Sequence, residues 1–253
     1  MNTLSISDRL LQMHPDQVRS LFLNRPESTA RWIGLLAFEG LPQAQLCYGQ
    51  MLLEGTGVAK DESAGLSWFK RAASQNNLDA INMTGRCLEN GWGCSADVTL
   101  AATYYHRAAN AGHAWAQYNL GHLYLDGLGI ERDLKNAHRC YLRAATQHHA
   151  RAMNMVGRCC EQGWGTTKDL GAAAAWYRRS AEAGYFRGQY NWASVLVMRG
   201  RTDEAILWLE KAMVAGTPAV YEAARQCLDS LQRSSRSNAV ANRCNKASLS
   251  KNV

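Results

Sequence analysis

Apolar and small residues recur in the chain at helical spacing, in short runs broken by glycine. One such run carries Ala80, Met83, Thr84, Cys87 and Leu88 on one face of a helix over about 79–89. Gly91 and Gly93 then stop it, because glycine accepts the left-handed backbone of a helix end and a tight turn. Asp97 stands where a side-chain oxygen can cap a second helix, and that helix shows Leu100, Ala101, Tyr104, Tyr105, Ala108 and Ala109. The alanines allow close helix approach, and the aromatics fill what remains.

This pattern returns every 36 residues. Gly49, Gly85, Gly121 and Gly157 keep the interval, as do Asp61, Asp97, Asp133 and Asp169, and Phe69, Tyr105, Tyr141 and Tyr177. The pairs Gly55/Gly57, Gly91/Gly93, Gly127/Gly129 and Gly163/Gly165 follow the same register. The predicted units are 42–77, 78–113, 114–149 and 150–185, followed by a fifth, 186–217, that lacks four loop residues. Trp32 lies 36 residues before Trp68, so 1–41 is expected to hold N-terminal capping helices with a partial repeat. Residues 218–231 are expected to form a C-terminal capping helix opened by Pro218, and 232–253, without periodicity, a disordered basic tail. A single helical hairpin cannot bury its own faces, whereas a stack of hairpins can. The expected fold is therefore all-α, a solenoid of antiparallel helix pairs.

A unit such as AWAQYNLGHLYLDGLGIERDLKNAHRCYLRAATQHH resembles a Sel1-like repeat, a relative of the tetratricopeptide repeat. The resemblance extends over 42–217, roughly 70% of the chain. It implies a right-handed superhelix, an adaptor or scaffold role, and no shared catalytic residues. A secreted branch of that family, linked to β-lactam binding, carries a disulfide between the helices of each repeat. Here alanines such as Ala80 and Ala109 stand at those positions, which argues against that branch. The variant GRCxExGWG in the second and fourth units resembles a bacterial sub-type associated with iron-siderophore uptake and an iron/2-oxoglutarate hydroxylase. It implies, as an alternative role, a regulatory or assembly subunit of an enzyme working through loops and the convex edge.

Composition narrows the classes further. Hydrophobic residues make up 47% of the 253, enough for a core. No run of 18 apolar residues occurs, so a membrane-spanning helix is not expected. The N-terminal MNTLSISDRLLQMHPDQ does not read as an export signal. Eight cysteines without regular pairing read as reduced thiols of a cytoplasmic protein. The net charge of +7 invites a nucleic-acid reading, but 231–253 holds Arg233, Arg236, Arg243, Lys246 and Lys251 and no acid. The first 230 residues carry only +2.

No Walker loop, Gly-x-Ser-x-Gly, Cys-x-x-Cys or His-Glu-x-x-His is present, so no catalytic residue, metal ligand or cofactor is assigned. Cys87 and Cys159 stand in a core register. Cys159 and Cys160 diverge on a helix by about 100° and are poorly placed to chelate together. His148 and His149, between repeats, read as solvated. What remains is a face. In tetratricopeptide-type arrays the first helix of each pair lines the concave side, and there the register places Asn82, Arg86 and Glu89, then Trp115, Tyr118 and His122. Arg151, Asn154, Arg158 and Glu161 follow, then Arg187 and Tyr190.

Arginine forks, amide side chains and rigid aromatics suit a peptide or protein partner. The opposing reading takes each Arg and Glu as a pair on a solvated face. Trp92 and Trp164, inside the glycine loops, are candidate recognition anchors or covers for the adjacent helix end. The other tryptophans, Trp68, Trp176 and Trp208 among them, are expected in the core. RNA is a weaker partner, since Asp and Glu interrupt the arginines.

Overall fold

The computed structural model describes residues 26–231 and 233; the expectations for 1–25 and for most of the tail lie outside them. Among the described residues every regular element is a helix. They are α1 (Pro26–Phe38), α2 (Pro42–Glu54), α3 (Glu62–Ser74), α4 (Leu78–Asn90), α5 (Val98–Asn110) and α6 (Ala114–Asp126). Then come α7 (Leu134–Thr146), α8 (Ala150–Gln162), α9 (Leu170–Glu182), α10 (Phe186–Met198), α11 (Thr202–Ala215) and α12 over 218–231. The chain divides into two compact units after Cys140, within α7. In the first unit α1 to α6 pack each on the next; in the second α8 packs on α9, α9 on α10 and α10 on α11.

The recurring aspartates set where the second helices begin. Asp61, Asp97, Asp133 and Asp169 each accept, through Oδ1, the backbone N–H three residues on, at 2.8, 2.8, 3.0 and 2.9 Å. The first helices α4, α6 and α8 are capped by the side chains of Asn77, His113 and His149. His149, expected in solvent, is instead half-buried, with Nδ1 accepting from Ala152 N–H at 3.2 Å.

Two glycine classes explain the strict period. Gly49, Gly85 and Gly157 lie in the first helices where the buried rings of Phe69, Tyr105 and Tyr177 press on the backbone. A Cβ there would sit 2.8, 2.8 and 2.6 Å from a ring carbon. The second glycine of each loop serves a different contact. Gly57, Gly93 and Gly129 have φ of 69, 72 and 68° and lie backbone on backbone against the first turn of the preceding unit's second helix, at Pro26, Glu62 and Val98. The residue after Gly93, Cys94, packs into the cluster of Leu66, Phe69, Met83 and Cys87. Its counterpart Ile130 packs against the cluster that holds Ala101 and Ala102.

The tryptophans divide. Trp68 is buried, edge-on to Phe38 and Tyr48 at 4.9 and 5.6 Å. Trp176 and Trp208, expected in the core, are half-exposed, with Arg179 and Lys211 lying over their rings at 4.8 and 4.3 Å. An indole face left open at the surface is a favourable seat for a cation.

Candidate partner-binding surfaces

The two repeated triads have the same internal geometry. Asn82 is 6% exposed and accepts from Asn119 Nδ2 at 3.0 Å; Asn154 is 3% exposed and accepts from Asn191 Nδ2 at 2.8 Å. Each amide thus joins two neighbouring repeats and lies beneath the surface, where it has no face to offer a peptide. Glu89 accepts the Tyr105 phenol at 2.5 Å, and Glu161 the Tyr177 phenol at 3.0 Å. Burial, with the adjoining carboxylate, raises both phenols above their ordinary range and keeps them as donors. The Arg–Glu pairing expected on a solvated face is replaced by Tyr–Glu bonds that tie the two helices of one repeat together.

The arginines cover the loop tryptophans. Arg86 lies over the Trp92 ring at 5.2 Å and Arg158 over Trp164 at 5.0 Å. Each also points a guanidinium N–H at a methionine sulfur one turn back, Met83 at 3.4 Å and Met155 at 3.9 Å. Both tryptophans are half-buried, folded back over the helix end. Gln50, Leu53, Glu54, Lys60 and Glu62 join Met83, Arg86 and Trp92 around an open hollow of about 310 Å³.

On α6 the other candidates form an aromatic run. Trp115 stands edge-on to Tyr118 with centroids 6.1 Å apart, and Tyr118 edge-on to His122 at 4.6 Å. Trp115 is 43% exposed, an unusual share for an indole. In the second unit Arg151 lies over Tyr185 at 5.7 Å, and Tyr185 packs on Phe186 at 4.9 Å. Arg187 lies 6.0 Å over Phe186, and Tyr190 is half-buried. Tyr185 and Phe186 escaped the sequence reading because aromatic rings there replace the Asn or His cap and the Leu or Ala first residue of the second to fourth units. That break in pattern was the available signal.

Cys87 and Cys159 are fully buried, and burial pushes their thiols up to about 12. Among the described residues no group of three His, Cys, Asp or Glu is arranged to hold a metal ion. No described helix is long and apolar enough to cross a membrane.

The sequence profile of the Sel1 repeat matches residues 42–77, 78–113, 116–149 and 150–185, more than half of the chain. The chain belongs to the Sel1 repeat family. Its architecture is that of known Sel1 structures. A Sel1 repeat protein from Oxalobacter formigenes is 26% identical and superposes with a TM-score of 0.70 over 78% of this chain and 84% of its own. A protective antigen of uropathogenic Escherichia coli is 28% identical with a TM-score of 0.65 over 74% of this chain, which spans only 41% of the antigen. An immunity protein from Pseudomonas aeruginosa, 16% identical with a TM-score of 0.51 over 91% of this chain and 88% of its own, shares the fold alone. No curated protein matches the chain.

Sel1 repeat proteins are generally protein–protein interaction scaffolds. In these terms the GRCxExGWG variant is a local structural device. Its Arg lies over its Trp, its Glu takes the repeat tyrosine, and its Cys packs in the core.

Proposed function

We propose that this Sel1 repeat chain is a non-catalytic adaptor of a reducing, cytoplasmic compartment that holds a protein or peptide partner on the first helices of its repeats. The observation that carries the reading is the aromatic run of α6, in which exposed Trp115 stands against half-buried Tyr118 and His122. Rigid rings offer contact area at low entropic cost, and aromatics with arginine are the side chains on which binding energy concentrates. In the first unit Arg86 with Trp92 supplies a cationic edge at α4; in the second unit, taken by itself, Arg158 with Trp164 at α8 and Arg187 with Tyr190 on α10 are the corresponding candidates. Asn82, Asn154, Glu89 and Glu161 are left out of direct contact, because their polar groups already serve the fold.

Affinity capture from the native host tests this, followed by titration of the purified partner. Trp115→Ala with Tyr118→Ala should weaken binding at least tenfold while the thermal melt stays within a few degrees. Charge reversal of Arg86 and Arg158 together should weaken it less. Unchanged affinity in both variants would overturn the first-helix assignment.

A further inference from the structure

The last repeat leaves a socket that the earlier repeats close. In the first unit the Gly-x-Gly loop of each repeat lies on the first turn of the preceding second helix, with Cys94 or Ile130 packed beneath. The fifth repeat has no such loop: α10 and α11 are joined by Arg199, Gly200 and Arg201 alone. The start of α9 therefore lacks the loop that covers Glu62 and Val98, and its first residue, Leu170, is 63% exposed. Behind it lies an open cavity of about 360 Å³, floored by Gly171, Ala174, Ala175 and Trp192. Ala174 holds the register of Leu66 and Ala102, the residues above which the earlier loops pack.

The rim of this socket is cationic. Arg178, Arg179 and Arg199 line it with one acid, Glu182, for a balance of +2. Arg178 pairs with Glu182 at 2.8 Å. Arg179 and Arg199 stack over Trp176 and Trp192 at 4.8 and 5.9 Å, and among the described residues neither guanidinium group makes a hydrogen bond or an ion pair. Two guanidinium groups are thus held against rings with their N–H forks open.

We infer that this socket docks an acidic, glycine-bearing turn of a partner protein. A small apolar residue of the turn takes the place that Cys94 or Ile130 takes in the earlier repeats, and flanking carboxylates meet Arg179 and Arg199. The chain's own termini do not complement the rim: 232–253 carries +5, and 1–25 holds Arg9, Arg19 and Arg25 against Asp8 and Asp16. The socket lies between α9 and α10, and none of its lining residues is among those of the first-helix face proposed above.

The test uses the full chain and a labelled cyclic peptide, Gly-Leu-Gly-Ile-Glu-Glu-Asp, which is the third repeat's own loop made more acidic. Its counterpart with Lys at each acidic position is the control. Two variants accompany them: Arg179→Glu with Arg199→Glu, and a graft that inserts Gly-Leu-Gly-Ile between Arg199 and Gly200, which restores a seven-residue loop and keeps both rim arginines. The acidic peptide should bind at micromolar to millimolar strength and the basic one should not. The charge reversal and the graft should each weaken binding at least tenfold, and the graft should also raise the melting temperature.

No binding of the acidic peptide would overturn the proposal. So would binding lost in the reversal but kept in the graft, which would mean attraction to charge alone. A chain ending at 231 that binds more than tenfold tighter would make the tail the occupant, and the partner assignment would then fall.

Discussion

Cys87 and Cys159 show how burial of one atom type becomes a property of the whole protein. Each thiol stays protonated to about pH 12 in the fold but ionises near 9.0 when exposed. A folded value above the unfolded one gives stability that is complete below pH 9 and is lost as pH rises toward 12. From pH 8 to pH 10 each thiol should cost the fold about 1.4 kcal/mol. Urea melts at the two pH values should therefore show a smaller loss for Cys87→Ala/Cys159→Ala than for the wild type. Gly157→Ala tests packing at the same scale. Its Cβ would meet the Tyr177 ring at 2.6 Å, and overpacking of that kind costs about 1–3 kcal/mol. An unchanged melt would show that the ring can give way. The register of the candidate residues was legible in the sequence, but their partners were not. Asn82 looks like a surface amide until Asn119, 37 residues on, is seen to bond to it, and Asn154 with Asn191 repeats the arrangement. A period gives spacing along one chain, whereas a contact depends on what the next helix turns toward it.

At the scale of elements, boundaries were the most legible feature, because caps are local. An aspartate three residues before a free N–H needs no tertiary information to be recognised. Asp97→Ala should accordingly cost about 1 kcal/mol, the loss of one cap, with the loop left in place. Gly93→Ala should cost more, about 2 kcal/mol or above. It forces a side chain into a left-handed backbone and drives a Cβ into the Glu62 peptide. Thermal melts of the two variants side by side check the order, and the reverse order would mean that the loop is not seated as described. The sequence pattern marked both glycines as turn residues. It did not distinguish one that ends a helix from one that admits a neighbouring backbone, since that neighbour lies about thirty residues upstream. Trp176 and Trp208 were misjudged for a related reason. Their register matched buried Trp68, but Phe38 and Tyr48, which cover Trp68, belong to that position alone.

Across the whole molecule the charge is uneven in a way that decides what its basic balance means. Of a net +7, the segment 231–253 carries +5, and the first 230 residues, which contain all the repeats, carry +2. Attraction to polyanions depends on how many phosphates are neutralised, with log K falling by about 0.9 per contact for each decade of salt on duplex DNA. A chain ending at 231 keeps every repeat and loses all five tail charges, so its salt slope on duplex DNA should fall by up to about 4.5 relative to the full chain. Fluorescence anisotropy with a labelled random duplex at several salt concentrations reads this directly. Repeats that themselves read nucleic acid would leave slope and affinity unchanged on truncation. In an adaptor, truncation removes nearly all affinity for the duplex, while a protein partner held on the aromatic run of α6 is bound as tightly as before.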